Sequence, residues 1–354
     1  MSRIAGVHGV LPPYRYEQHE IRDALAEMGA MAPESRGLLD RMHAASTVRT
    51  RHLAVPLERY AHLAGFGAAN DAYLTAAMEL AHDAVQGALE HAEVAPSEVD
   101  LVVSTSVTGL AVPSIEARLA GRWGLRPDVK RLPVFGLGCV AGAAGLARVH
   151  DYLEMRPTAV AVLLCVELCS LTVQRGDASA ANMVAGSLFG DGAAAVVAVG
   201  REHPAARAAR GPEIVATRSR LYPDTERLLG WDICDGGFRI VLGSDLPDTV
   251  LRRLGPEVET FLADHDLKTE DVTGWICHPG GPKVLEAVRA ALDLPARALE
   301  LTWRSLAEVG NLSSASVLHI LRDTLDRRPP LAGTPGLMLS MGPGFSSELV
   351  LLRW

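Results

Sequence analysis

Apolar residues along this chain gather into short runs, and between the runs lie stretches where apolar positions recur every three or four residues. A short apolar run bounded by turn residues reads as a strand, and the three-and-four spacing reads as a helix. On that basis 100–106 (DLVVSTS) predicts a strand, a turn containing Thr and Gly follows, and 113–123 predicts a helix. Further along, 273–278 (TGWICH) predicts a strand, 279–282 (PGGP) a turn and 283–292 a helix. Strands alternating with helices in this way predict an α/β fold whose sheets are covered.

The pattern also runs twice. The segment 132–137 leads into Gly138-Cys139 and a helix of small residues ending near 153, just as 300–303 leads into Gly310-Asn311 and the helical sequence LSSASVLHILRDTL. Each helix is followed by a pair of apolar strands, 159–167 with 193–199 and 336–341 with 348–352. Only the first pair is interrupted by a long insertion, 170–191, and the polar, Ala/Arg-rich stretch 200–211 forms the joint. The expectation is an internal duplication packed into one body: 1–202 carries Cys139, and 203–354 carries His278 and Asn311.

With 354 residues the chain is long enough for a deep, dry site. Forty-eight per cent of residues are hydrophobic but only 5% aromatic, so the core is built mainly of Ala, Val and Leu. A formal charge of -8 with no Lys/Arg block excludes a nucleic-acid binder, which needs a basic face to neutralise phosphates. Any anionic substrate must therefore be met by local basic residues. Five cysteines, without the spacing of a disulfide scaffold or a signal-like start to the chain, point to a reducing cytoplasm. The longest apolar runs, such as 159–164, are too short to cross a bilayer, so no membrane insertion is expected.

Three residues carry candidate chemistry. Cys139 stands where a strand turns into a helix, behind Gly138 and ahead of Ala and Gly alone. Unpaired amides at such a start favour a thiolate, the form that attacks thioesters, and small neighbours let a substrate approach. The same residue could equally serve as a small buried hydrophobe. Cys165 and Cys277 read as core, and with Cys169 they find no His/Cys set that would hold a metal. His278 ends the strand GWIC and would project into whatever the helix starts enclose. Asn311 follows Gly310 at a helix start, where Asn is also a favoured cap. Superposing the halves brings Cys139 and Asn311 together, with His278 on the adjoining strand end. Imidazole and amide N–H groups can both donate to a carbonyl oxygen and so stabilise the enolate left when a malonyl thioester loses carbon dioxide.

At these residues the chain resembles the chalcone-synthase-like type III polyketide synthases of bacteria. The matching motifs are GLGCVAGAAG around Cys139, SLFGDGAAAVV around Phe189, HPGGPKVL from His278, GNLSSAS from Asn311 and the terminal MGPGFSSELVLLRW. The resemblance implies a five-layer αβαβα thiolase fold, a homodimer and a Cys-His-Asn triad. It further implies acyl-CoA starters and malonyl-CoA extenders, with no cofactor beyond those thioesters and no acyl carrier protein. Phe189 would be a gatekeeping aromatic, Phe238 a second one, and the Gly342-Pro343-Gly344 loop would shape the cavity. Val107, Thr108, Cys169 and Thr172 fall where the family lines its pocket, Val112 where it reaches across the dimer, and Arg49 and Arg51 where it binds CoA phosphates.

The motif surroundings suggest a fatty acyl starter and an alkylpyrone or alkylresorcinol product. The alternatives are a 1,3,6,8-tetrahydroxynaphthalene synthase using malonyl-CoA alone, a ketoacyl-acyl-carrier-protein synthase III, and an inactive thiolase-fold binding protein. The Pro279-Gly280-Gly281 run after His278 argues against the carrier-protein synthase, which usually has Gln, Ala and Asn there.

Overall fold

Strands with unbroken apolar sequence, such as VAVLLCVEL and DGAAAVVAV, must be covered on both faces, and they form the middle of the fold. The computed structural model describes residues 1–29 and 33–354. In chain order the strands are β1 Ser2–Val10, β2 Tyr14–Glu17, β3 Thr50–Leu53, β4 Val99–Thr105, β5 Lys130–Val134, β6 Val160–Leu168, β7 Asp191–Val199, β8 Glu213–Leu221, β9 Leu229–Cys234, β10 Gly237–Leu242, β11 Gly274–Cys277, β12 Pro335–Gly342 and β13 Ser346–Arg353. Nine of them pair in the order β11-β12-β13-β8-β1-β7-β6-β4-β5.

Each half of that order repeats the other. β4 lies parallel to β6, which pairs antiparallel with β7, which pairs antiparallel with β1. In the same sense β11 lies parallel to β12, which pairs antiparallel with β13, which pairs antiparallel with β8. The halves meet through a short β1–β8 pairing at Ser2 and Arg3.

One element departs from the sequence expectation. The segment 300–303, aligned with the approach to Cys139, opens the helix Glu300–Val309, so the second half has no counterpart of β5. Its buried positions, Thr302, Ser305 and Leu306, are spaced by three and one, the rhythm of a helix face rather than of a strand.

Helices Ala141–Met155 and Ser316–Arg327 run between the two half-sheets and share one apolar cluster with them, including Leu146, Leu163, Val317 and Met338. Helices Gly65–Ala92 and Ile115–Trp123 cover the outer face of the first half-sheet. Leu246–Ala263 and Pro282–Ala291 cover that of the second. The result is the expected five-layer αβαβα arrangement. The middle layer is narrow because its residues are small: a Cβ on Gly142 would lie 2.3 Å from the Ser314 carbonyl oxygen, and one on Gly145 would lie 2.4 Å from Leu163. Close packing brings the starts of both central helices side by side. No described helix is long and apolar enough to cross a membrane.

Candidate active site

Cys139 sits in a single tight turn, Gly138–Val140, that feeds the central helix. Gly138 has φ +55°, a conformation that favours glycine, and a Cβ there would lie 2.7 Å from Pro343. A Cβ on Gly342 would lie 2.8 Å from the Val140 amide nitrogen. The Gly342-Pro343-Gly344 loop therefore rests directly on the Cys139 turn. The Cys139 Sγ is buried, with the Ser313 hydroxyl at 3.5 Å. Burial pushes its thiol up to about 12, against which the Ser313 hydrogen bond works.

His278 follows β11, and its amide donates to the Leu339 carbonyl at 2.8 Å, which holds it in line with β12. Burial lowers its imidazole to about 3, so the ring is neutral at ordinary pH. Nδ1 has no partner, and Nε2 lies 3.4 Å from the Asn311 amide nitrogen. The Ser313 amide donates to Asn311 Oδ1 at 2.8 Å, which turns the Asn311 NH2 group towards His278. Asn311 forms an isolated parallel bridge with Phe189, two residues ahead of the helical turn Ser313–Ala315 that leads into the helix Ser316–Arg327. Its amide donates to the Leu188 carbonyl at 2.8 Å, and the Gly190 amide donates to the Asn311 carbonyl at 3.0 Å. The fold thus gathers Cys139, His278 and Asn311 at one place, with Ser313 linking the Cys139 thiol and Asn311.

The remaining expected residues divide into groups. Phe189, Cys169 and Thr172 line a cavity of about 810 Å³. Val107 and Thr108 do not line it; the Val107 backbone amide and the Thr108 hydroxyl donate instead to a buried carboxylate. Phe238 is buried in a ring cluster with Phe66, Phe135 and Trp231, while its neighbours Gly236, Arg239 and Ile240 line the cavity. Arg49 is exposed, 3.9 Å from Glu308. Arg51 corrects the expectation of a basic surface: it is 2% exposed and donates to the Phe189 carbonyl at 2.8 Å and to Gln18 at 3.1 Å.

Sequence reasoning missed Glu167. This carboxylate is wholly buried between the cysteine-bearing segments and accepts from Ser314 Oγ at 2.6 Å, Thr108 Oγ1 at 3.0 Å and the Val107 amide at 3.1 Å. The Ser313 hydroxyl, already beside Cys139, reaches it at 3.4 Å. Burial raises its pKa to about 7, while its hydrogen bonds pull the other way. The signal was present as a lone acid inside the apolar run LLCVELC, since a charge there needs hydrogen-bond partners.

Residues 8–202 match the N-terminal domain, and residues 213–354 the C-terminal domain, of the chalcone and stilbene synthases. The chain belongs to this family. It is a type III polyketide synthase, an acyltransferase that works by decarboxylative condensation. It is 56% identical over 353 residues to a 1,3,6,8-tetrahydroxynaphthalene synthase of Streptomyces peucetius subsp. caesius, covering all of this chain and 93% of that one. It is 33% identical to a putative chalcone synthase of Bacillus subtilis, covering 100% and 99% of the two chains. Among solved structures, the tetrahydroxynaphthalene synthase of Streptomyces coelicolor superposes with a TM-score of 0.93 at 29% identity over 99% of both chains.

Proposed function

We propose that this polyketide synthase builds its product from malonyl-CoA alone and closes it to a tetrahydroxynaphthalene. The observation that carries the reading is the 56% identity along the whole chain to a 1,3,6,8-tetrahydroxynaphthalene synthase. We prefer it to the fatty acyl starter and alkylpyrone product suggested by the motifs; for the pyrone product the similarity is weaker, 28% identity to an alpha-pyrone synthesis polyketide synthase-like protein of Mycobacterium tuberculosis.

In this reading Cys139 attacks a malonyl thioester and carries the growing chain. His278 and Asn311 point their nitrogens at one spot, 3.4 Å apart. With its proton on Nε2, the imidazole and the amide donate together to the carbonyl oxygen of a second malonyl thioester. They hold the enolate that forms as carbon dioxide leaves. The enolate carbon attacks the Cys139 thioester and the thiolate is released, ready to take the lengthened chain. Phe189 gates the cavity beside Asn311, the Gly342-Pro343-Gly344 loop, which does not line that cavity, backs the Cys139 turn, and Arg49 meets the CoA phosphates at the surface.

Two features beyond the site belong to the same proposal. The chain divides into thiolase-like halves, 1–202 and 203–354, and it works as a cytoplasmic homodimer. β5 is the edge of the nine-stranded sheet, and beside it Val112 (92% exposed), Leu110, Leu132, Phe135 and Leu137 present apolar side chains. An open strand edge next to apolar surface favours pairing with a second copy.

Product profiling by mass spectrometry tests the starter. Malonyl-CoA alone is expected to give tetrahydroxynaphthalene, and added hexanoyl- or lauroyl-CoA is expected to change the profile little. A dominant alkylpyrone or alkylresorcinol in the mixed incubation would overturn the malonyl-only reading and restore the fatty acyl one.

A further inference from the structure

Among the residues that line the 810 Å³ cavity, three are cations, and only one of them is buried. Arg175 is exposed and donates to the carbonyls of Ala61 and Leu63. Arg239 is exposed and lies 3.6 Å from Asp232. Arg51, by contrast, has no carboxylate within 4.0 Å among the described residues, and its Nη2 has no hydrogen-bond partner at all. The nearest buried acid, Asp191, is already engaged by the amides of Ala54 at 2.6 Å and Ser170 at 2.8 Å and by the Ser170 hydroxyl. A buried guanidinium with an idle N–H group is costly, and a carboxylate is its natural complement. Burial lowers Arg51 to about 10, against which the nearby Asp191 charge works, and the guanidinium stays charged at neutral pH.

Its placement says which anion it would meet. A Cβ on Gly310 would lie 3.2 Å from the Arg51 stem, and one on Gly190 would lie 3.6 Å from it. These glycines directly adjoin Asn311 and Phe189. The guanidinium therefore lies inside the protein beneath the Phe189–Asn311 bridge, bonded to the Phe189 carbonyl, and faces the cavity that Phe189 and Cys169 line, not the surface where a nucleotide phosphate would lie.

We propose that Arg51 receives the carboxylate of the malonyl group that loads Cys139. The proposal rests on the malonyl-only reading above. In the loading step the Cys139 thiol gives up its proton as Sγ forms a new thioester bond and the bond to CoA breaks. CoA leaves as its thiolate and takes up that proton, and the malonyl carboxylate is unchanged. Arg51 favours the acyl-CoA that carries this charge over neutral ones of similar length.

The test is the rate of Cys139 acylation, followed by rapid quench and intact-protein mass, with malonyl-CoA and with its methyl ester, which has the same chain without the charge. In the unaltered protein malonyl-CoA should load faster by about tenfold to a hundredfold, the worth of a hydrogen bond between charged groups. Arg51→Gln should bring the two rates together, chiefly by slowing malonyl-CoA, and Arg51→Lys should keep part of the preference. Equal rates in the unaltered protein would overturn the proposal without any variant, so a misfolded variant does not leave it open. An unchanged ratio in a folded Arg51→Gln would overturn it too, and would leave Arg51 as a clamp on the Phe189 carbonyl. Failure of the malonyl-only reading is distinct: it would appear as hexanoyl-CoA outcompeting malonyl-CoA in the unaltered protein's products, whatever the ester ratio.

Discussion

Asn311 and Glu167 show how single side chains are committed by their neighbours. Because the Ser313 amide fixes Asn311 Oδ1, the Asn311 NH2 group has one direction in which to donate. We predict that Asn311→Ala lowers condensation about a hundredfold to a thousandfold, the usual effect of losing one such donor, while single-turnover acylation of Cys139 changes far less. Acylation failing as badly as condensation would make Asn311 a structural residue. Glu167 carries a pH prediction. Burial raises its carboxyl to about 7 in the fold from an ordinary 4.5. Between those values the folded protein binds more protons than the unfolded one, so stability falls as pH rises from about 4.5 to 7 and then levels off. The loss is on the order of 3 kcal/mol. Asp191, raised to about 6 by burial, adds to the same slope. Glu167→Gln should flatten the decline in melting temperature between pH 5 and pH 8. A slope unchanged by the substitution would place the titration elsewhere.

Among the elements, the central helix Ala141–Met155 is the one most constrained by size. Its sequence AGAAGLARVHDYLEM brings Gly142 against the Ser314 carbonyl and Gly145 against Leu163. Gly142→Ala should therefore destabilise by about 1–3 kcal/mol, the typical cost of overpacking, read as a fall in the denaturation midpoint. It should also slow turnover, because Ser314 holds Glu167 and adjoins Ser313 beside Cys139. Normal stability with normal activity would mean that the central layer has slack. The small residues around Cys139 were legible as a close approach, but their partner was not. Periodicity gives a helix its faces and says nothing of which neighbour fills them.

For the whole molecule, the sheet ends at β5 with its outer edge free and an apolar fringe beside it. We predict a mass in solution of twice the 37.7 kDa chain, measured by light scattering, with Leu132→Asp shifting it towards the single-chain value. A monomer in the unaltered protein would refute the dimer. The duplicated strand order was legible because each half repeats its apolar runs and breakers, and breaker residues act locally. The missing fifth strand was not, since ELTWRSLAEV has no clear alternation and its choice of helix is settled by packing against the layer beneath.

The sequence by itself determined the α/β class, the doubled pattern and the family, and it singled out Cys139, His278 and Asn311 as candidates, because small residues, turn formers and motif spacing are local and survive without coordinates. The tertiary structure decided everything that depends on a distant partner: Glu167 joined to Ser314 across 147 positions, Arg51 drawn under Phe189 and Asn311 instead of standing on the surface, and the Val107 amide and Thr108 hydroxyl bonded to Glu167 in place of lining the cavity. Burial is the physical reason. A charged side chain far along the chain reads as solvated until packing removes the water around it, and only then do its few remaining partners fix where it points.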